Sequence, residues 1–418
     1  MTAAVGPAPA TAADAPATAA QRLHTALPLI VIRTPRAIPD DPKIGARVRV
    51  IDRRGRRLNR TSDAGNVYTG RAGIERRGHS SQMFPKKQYG IELRDSKGEG
   101  RDAALLGMPA DDDWVLSAPY TDKSLMRNVV AYRTSRGNFG RYAPRTRYAE
   151  VVLNGRYRGV YALIQRLELG KGRIPAPDRS WLAELVFGYQ ALGERSFTTP
   201  ITRRPILFAD PDDPGRAQTR RIRGAVARLE RALYGRHFQD PRRGWRRHLD
   251  YRAAADYVLQ QELFRNQDGF HASTYFHRAP GRRIALGPVW DFDIAAGNTT
   301  SRARGTRGWQ LGGRPWAERL YRDRGFVRRL LLRWRQVRRA GLRRQILRGI
   351  AADTRTLRSP QRRNFNRWRV LGRYVWPNPR KPSGGYRTTW RGEVRYLRRW
   401  IGGRIRFMDR ALPRLARR

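Results

Sequence analysis

The sequence predicts an α+β fold with a β-rich N-terminal part built from hairpins and a largely helical C-terminal part. Short apolar runs separated by Gly, Ser and Asn turns extend from residue 27 to residue 164 and indicate strands. Beyond residue 298, apolar side chains recur every three or four positions, as on one face of a helix. With 39% hydrophobic residues over 418 positions, the chain can bury a large core and is not a disordered protein.

The formal net charge of +52 comes mainly from arginine, which supplies 80 of the 87 basic residues. Residues 301–418 alone hold 36 basic and five acidic side chains. The electrostatic field of so many positive charges attracts polyanions, including nucleic acid, anionic wall polymers, acidic protein tails and nucleotides. Arginine codons are GC-rich, so compositional drift also explains the charge. We prefer drift because no nucleic-acid-binding motif accompanies the arginines.

Three absences limit the class of protein. The sequence has no Cys, which excludes disulfides and thiolate metal sites. It has no run of about 18 apolar residues, so no membrane-spanning helix is predicted. The Ala- and Pro-rich residues 1–24 lack the basic start and the apolar block of a signal peptide. We interpret them as a disordered tail or the end of a longer leader, and the compartment stays open.

The first strands are predicted at residues 27–32 and 46–51 and on both sides of the Gly/Ser turn at 78–81. Small residues in this turn let backbone N–H groups approach an anion. The lysines that open the next strand, Lys86 and Lys87, can reach phosphate oxygens. The alternative is a Ser-rich hairpin with a solvated lysine pair.

A helix follows, capped by Thr121 or Asp122 and running to about Ser135, in which Asp122 and Arg127 serve as a cap and a surface charge. Residues 149–164 then read as two apolar strands that meet at an Asn-Gly pair. Asn-Gly suits a tight two-residue turn, so this segment predicts a β-hairpin.

Further helices are predicted from their apolar stripes. One covers residues 217–233, and the next is capped by Asp250 and ends near Phe264. In the C-terminal part, residues 326–334 and 390–408 each carry an apolar stripe at helical spacing. Such stripes indicate core-facing helices rather than ligand sites.

Three aspartates carry the clearest chemical signal. Asp268 is followed by two predicted strands, 273–278 and 283–286, and then by Asp291 and Asp293. If the last segment is extended, both of its acids point to one face while the neighbouring Trp and Phe rings point into a core. Two outward carboxylates suit Mg²⁺, which prefers oxygen ligands and often shares its site with phosphates. An acid loop, a hairpin and a metal acid follow each other in the same order in phosphoryl-transfer sites.

Taken in order, these segments resemble the spore-coat CotH kinase family, atypical protein kinases of bacteria and some eukaryotes. The resemblance extends over about 390 residues and is carried by Arg77-Gly78-His79-Ser80-Ser81 with Lys86-Lys87, by Asp122 to Asn128, by Asn154 to Tyr161, by Trp290-Asp291-Phe292-Asp293, and by the C-terminal helices. Each stretch is moderately specific. The resemblance rests on the occurrence of all these stretches together and in the same order as in the family.

The resemblance implies a divergent protein-kinase-like fold that uses ATP and Mg²⁺ or Mn²⁺ to phosphorylate Ser or Thr of a coat or surface protein in bacteria. It implies one domain with a β-rich nucleotide-binding part at 25–175, a catalytic part at 176–300 and an Arg-rich helical part at 301–418. The implied site residues are the base Asp268, the metal ligands Asp291 and Asp293 with Ser273, and the nucleotide contacts Lys86, Lys87, Ser80 and Ser81.

Three positions depart from the family pattern. Gln165 stands where the family usually has Glu, so an ion pair to the strand lysine would be lost. His79 replaces an Asn in the Gly/Ser turn. The Asn expected a few residues after the loop acid is absent, and Ser273 would supply a weaker oxygen ligand. These departures leave both an active kinase and a degenerate nucleotide-binding member open.

Two other functions fit the same residues. A structural protein of a spore coat or cell surface would keep the fold and bind polyanions through the arginines of 301–418. A nucleotide-sugar transferase would use Asp291 and Asp293 as a D-x-D metal clamp. In the simplest interpretation, the two acids only balance the charge of nearby arginines.

Overall fold

The computed structural model describes residues 23–54 and 57–417, so nearly all of the predicted tail at 1–24 lies outside the described residues. The described part is a mixed α/β structure with a β-rich N-terminal region and a helical C-terminal region, as the sequence predicts. Strand β1 (His24–Thr25) pairs with β4 (Asn59–Arg60) beside the main elements.

Seven N-terminal strands close into a barrel, which the sequence analysis did not predict. Every neighbouring pair is antiparallel except β2 and β8, whose parallel pairing closes the barrel. Along the barrel, the order is β2 (Leu29–Arg33), β3 (Ile44–Ile51), β5 (Tyr68–Arg77), β6 (Gln88–Arg94), β7 (Asp113–Ser117), β9 (Arg156–Gln165) and β8 (Thr146–Leu153).

Alternation of apolar and polar residues explains how the barrel is filled. On β3, Ile44, Ala46, Val48 and Val50 are buried while the residues between them are exposed or half-buried. One face of a strand therefore points into the barrel, where these side chains join a core with residues such as Trp114. The predicted hairpin of β8 and β9 is confirmed, and its turn residues take positive φ angles of 50° and 73°.

A second, five-stranded antiparallel sheet lies after the barrel in the chain. Its order is β11 (Ser196–Thr198), β12 (Pro205–Asp210), β10 (Trp181–Leu185), β13 (Thr274–Arg278) and β14 (Ala285–Leu286). The last two strands confirm the hairpin predicted between the acidic segments, although they share only two residue pairs. This hairpin brings the chain back from the first acidic loop to the second.

The helices cover the remaining core. They are α1 (Arg127–Thr134), α2 (Arg216–Tyr234), α3 (Tyr251–Phe264), α4 (Pro315–Tyr321), α5 (Arg324–Arg339), α6 (Leu342–Thr356), α7 (Pro360–Arg367) and α8 (Trp390–Leu415). The Asp250 side chain caps α3 by accepting hydrogen bonds from two backbone N–H groups, as predicted. Helix α3 ends at Phe264, and the φ of 46° at the next residue, Arg265, turns the chain toward Asp268.

The segment around Asp291 is not extended, so the condition under which alternation would place both acids on one face is not met. It has no regular secondary structure, and Asp291 itself has a φ of 60°. A residue in this left-handed region breaks the alternation of faces along a strand. Phe292 does enter the core, but Trp290 is only half-buried and reaches the cavity described below.

Candidate active site

A cavity of about 410 Å³ collects the predicted acids. Its walls come from the end of β5, the following turn, β10, α1 and the loops around Asp268 and Asp291. Eight acidic side chains line it: Asp40, Asp41, Glu75, Glu184, Glu194, Asp268, Asp291 and Asp293. This concentration stands out in a chain whose 87 basic residues outnumber its 35 acidic ones.

The two acidic loops meet inside this cavity. Asp268, Ser273, Asp291 and Asp293 all line it, and the Ser273 hydroxyl lies 3.5 Å from Asp291 Oδ2. The amide of Asn266 donates a hydrogen bond of 3.0 Å to the Asp291 carbonyl, which joins one loop to the other. The fold therefore brings together all four residues that the sequence assigned to the base and the metal.

Burial and mutual repulsion shape the electrostatics of these acids. Burial raises the pKa of Asp268 to about 7, and the nearby Asp291 adds to this rise. Burial also raises the pKa of Asp293 well above its usual range, and Asp291 and Asp268 act in the same direction. Three carboxyl groups that repel each other in a partly dry cavity would be stabilised by a positive charge placed among them.

The donor set fits a hard divalent cation. Asp291 and Asp293 offer carboxylate oxygens, and Ser273 adds a hydroxyl. Within residues 23–54 and 57–417, no group of three His, Cys, Asp or Glu side chains is arranged to hold a metal by itself. Mg²⁺ does not need such a cage, because it commonly binds one or two carboxylates and completes its shell with water and phosphate oxygens.

Helix α1 holds the second acidic loop in place. Asn128 Oδ1 accepts a hydrogen bond of 2.6 Å from the backbone N–H of Phe292, and the Tyr132 hydroxyl accepts one of 3.3 Å from that of Asp291. Asn128 and Tyr132 are four residues apart and so lie on the same face of the helix. Arg127 Nε donates to the carbonyl of Ala295 at 3.0 Å.

The prediction that Arg127 is a surface charge is therefore wrong, and Asp122 is enclosed with it. Both side chains are at most 2% exposed and form an ion pair with each other. Asp122 also accepts hydrogen bonds from the backbone N–H groups of Ser124 and Met126. Because α1 packs against the acidic loop, the pair is enclosed, which the sequence pattern alone did not reveal.

Five non-glycine residues near the acids have positive φ angles: Arg265, Phe270, Ser273, Asp291 and Ala296. Such conformations cost about 1–3 kcal/mol each when the residue has a side chain. They persist where the surrounding structure enforces them, and they concentrate at functional sites. Ser273 and Asp291 line the cavity and the other three lie in the same two loops, so these positive φ angles are concentrated in the loops that carry the acids.

The family model for CotH kinase protein matches residues 74–408, which is most of the chain and includes Asp268, Asp291 and Asp293. The chain belongs to the CotH kinase family. No curated protein sequence matches it. The family assignment confirms the resemblance that the sequence motifs indicate, and the remaining CotH-like positions can be located in the fold.

The two lysines of the CotH-like segment do not line the cavity. Lys86 is 2% exposed, and its ammonium donates hydrogen bonds to the Val160 carbonyl at 2.6 Å and to Asn364 Oδ1 at 2.9 Å. Burial accordingly lowers the pKa of Lys86 well below its usual value. Lys87 donates to the carbonyl of Gln82 instead. The fold does not bring these ammonium groups to the acids, contrary to the sequence expectation.

The Gly/Ser turn of the CotH-like segment does reach the cavity. Ser80 and Ser81 lie in its lining, together with His79. Gly78 precedes them with a φ of 88°, and a Cβ at this position would stand 2.2 Å from the Ser81 hydroxyl oxygen. Glycine is therefore required for the turn that presents these two hydroxyl groups.

Gln165, which departs from the CotH pattern, lies outside the cavity lining. Its side chain accepts a hydrogen bond from the backbone N–H of Arg145 at 2.9 Å and donates one to the Gly172 carbonyl at 3.2 Å. It thus serves to join loops, and Lys86 bonds to other groups. The lost ion pair anticipated between a strand lysine and position 165 has no counterpart in this fold.

Sequence reasoning missed three cavity residues, Arg77, Glu184 and Tyr275. Glu184 on β10 lies opposite Tyr275 on β13, and the two side chains are hydrogen-bonded. Arg77 ends β5 and places its guanidinium 5.6 Å from the ring centre of Trp290. The one available signal was Arg77 itself, the first residue of the CotH-like turn segment. The other two are recognisable only once the second sheet is known.

Proposed function

We propose that this CotH family member is an atypical protein kinase that transfers the γ-phosphate of ATP to Ser or Thr of a spore-coat or surface protein, with Mg²⁺ or Mn²⁺. The observation that carries the proposal is the convergence of Asp268, Asp291 and Asp293 on one cavity within the family-matched region. In this proposal, residues 25–175 bind the nucleotide in a divergent protein-kinase-like fold, residues 176–300 carry the acids and residues 301–418 support them.

The chain's residues divide the chemistry between them. Asp291 and Asp293, with Ser273, hold the cation, which when bound neutralises negative charge on the phosphate oxygens. Asp268 accepts the proton of the acceptor hydroxyl, and its raised pKa of about 7 makes it a competent base near neutral pH. The acceptor oxygen forms a bond to the γ-phosphorus while the bond to the β,γ-bridging oxygen breaks, and ADP leaves.

A labelling assay with Asp291→Asn tests the proposal. The wild-type protein is expected to transfer labelled phosphate from ATP to itself or to a Ser-rich peptide when Mg²⁺ or Mn²⁺ is added. Asp291→Asn should reduce transfer at least about 100-fold, because only one of the two carboxylates that bind the cation remains. The melting temperature should not fall. Asp213→Asn is the matched control, because this acid is 72% exposed and lies outside the cavity lining.

Equal labelling by Asp291→Asn and wild type would overturn the kinase proposal. A thermal-shift comparison of ATP with nucleotide sugars identifies the donor, because a ligand that binds the folded state raises its melting temperature. Stabilisation by a nucleotide sugar and not by ATP would favour the D-x-D transferase instead.

A second candidate function is polyanion binding by a catalytically degenerate member of the family. One groove beside α6 and α8 favours it, with a volume of about 390 Å³ and lined by Arg343, Leu347, Arg395, Arg398, Arg399, Gly402 and Arg406. The arginines of this groove are exposed, and no acidic residue lines it. Exchange of these five arginines for Gln should reduce salt-sensitive binding of an anionic polymer. Unchanged binding would remove this candidate.

A further inference from the structure

The cavity lining contains basic side chains to which the family resemblance assigned no contact with the phosphates. Among the described residues, the basic side chains in its lining are Arg76, Arg77 and His79, and both lysines of the CotH-like segment are absent from it. An anionic ligand bound beside the acids needs positive charge from the chain as well as from the metal. These three residues are therefore the ones to compare.

Arg77 is the one directed toward the acids. Burial raises the pKa values of Glu184, Asp291 and Tyr275, and the positive charge of Arg77 opposes this rise at each of them. Arg76, the preceding residue on the same strand, acts instead on Lys87 and Tyr89. Both arginines line the cavity, and the groups that each charge influences distinguish the two.

His79 is a weaker anion ligand. It is exposed, and its ring stands edge-on to that of Tyr189 with the ring centres 6.4 Å apart. A guanidinium is charged at all physiological pH values and presents a planar fork of N–H donors, which an imidazole lacks.

The guanidinium of Arg77 has no ion-pair partner within 4.0 Å and no side-chain hydrogen bond among residues 23–54 and 57–417, although several acids line the same cavity. The face of Trp290 holds it in position, and Trp290 immediately precedes Asp291. This stacking leaves the planar fork of N–H donors free, and that fork matches phosphate oxygens in a bidentate geometry.

We propose that Arg77, stacked on Trp290, is the phosphate-binding cation of this cavity, in the place that the family resemblance gives to Lys86 or Lys87. The inference deepens the proposed kinase function and rests on ATP being the ligand. Lys86 then has a structural role under α7, and the phosphate is bound from the end of β5. Arg77 also lies next to the Gly/Ser turn, so its fork and the turn hydroxyls face one ligand.

Calorimetric titration of the full-length protein with ATP and with adenosine, both with Mg²⁺, tests this assignment. Arg77→Gln should weaken ATP binding about 10- to 150-fold, the range for one charge-assisted hydrogen-bonding group, and leave adenosine binding unchanged. Lys87→Gln and the matched control Arg71→Gln, which changes an exposed arginine elsewhere on β5, should both bind ATP like the wild type. Arg77→Lys provides a second variant if Arg77→Gln does not fold, with an intermediate loss expected.

Each other outcome has a defined meaning. If Arg77→Gln binds ATP like the wild type, or if Lys87→Gln shows the larger loss, the assignment is wrong and the kinase proposal stands. Equal weakening of ATP and adenosine would give Arg77 a general structural role and would also overturn the assignment. If the wild-type protein binds neither ligand, the proposed function itself fails, and the assignment fails with it.

Discussion

Glu184 illustrates how a single carboxyl group in the cavity responds to its surroundings. Burial raises its pKa from 4.5 to about 7, and repulsion from Asp291 adds to this rise, while Tyr275 and Arg77 oppose it. The folded protein therefore binds a proton at Glu184 that the unfolded chain releases. Its contribution to stability is fully present below about pH 4.5 and is lost as the pH rises through about 7.

The variant Glu184→Gln should make this dependence visible. Glutamine stays neutral, so the variant and the wild type should have similar melting temperatures near pH 5, and the variant should become the more stable one by pH 8. The slope for one group is at most about 1.4 kcal/mol per pH unit. Thermal melts across this pH range without added metal provide the measurement. A difference that does not change with pH would show that Glu184 is ionised throughout.

At the scale of single elements, α1 is the support for the second acidic loop. Its first residue, Arg127, is enclosed between Asp122 and the Ala295 carbonyl. A buried ion pair contributes little compared with a well-packed apolar pair, but removing one partner leaves the other charge uncompensated. The position of the acids thus depends on a pair that lies outside the cavity.

Arg127→Met should lower the free energy of unfolding by about 3–5 kcal/mol, because Asp122 would remain buried without its cation. Arg195→Met, which removes the exposed ion pair of Arg195 with Asp213, should lower the free energy of unfolding by less than about 1 kcal/mol. Urea denaturation of both variants provides the comparison. A loss at Arg127 no larger than that at Arg195 would mean that water reaches Asp122 and replaces the guanidinium.

Much at this scale was readable from the sequence. The helix starting after Asp250, the Asn154-Gly155 turn and the hairpin between the acidic loops follow from local capping, turn chemistry and alternation. The convergence of Asp268 and Asp291 was also predictable, since a hairpin returns the chain to where it began. The φ of Asp291 was not, because an Asp between two aromatic residues fits a strand equally well.

What local patterns could not predict depends on distant contacts. Barrel closure needs the parallel pairing of β2 with β8, more than 100 residues later in the chain. A lysine in a Pro-Lys-Lys sequence looks the same whether its ammonium meets a phosphate or the side chain of Asn364. Glu184 and Arg77 gain their significance only from the sheet and the Trp290 ring that surround them.

On the scale of the whole molecule, the charge of +52 opposes folding, because compaction brings like charges together. Raising sodium chloride from about 0.05 M to about 0.5 M shortens the screening length several-fold. The melting temperature should therefore rise over this range, most steeply at the low end. A melting temperature that falls with added chloride would indicate that the ion pairs of the fold outweigh the arginine repulsion.

The bond between Lys86 and Asn364 connects a residue beside the barrel to helix α7, almost 280 positions later. Arg363 of the same helix adds an ion pair of 2.6 Å to Glu150 on β8. A fragment ending before α7 would lack the partners of both groups and would expose the barrel surface that α7 covers, so it should be less stable than the full chain. During synthesis on the ribosome, all seven strands of the barrel emerge by Gln165, whereas the helix that bonds to Lys86 and Glu150 begins only at Pro360.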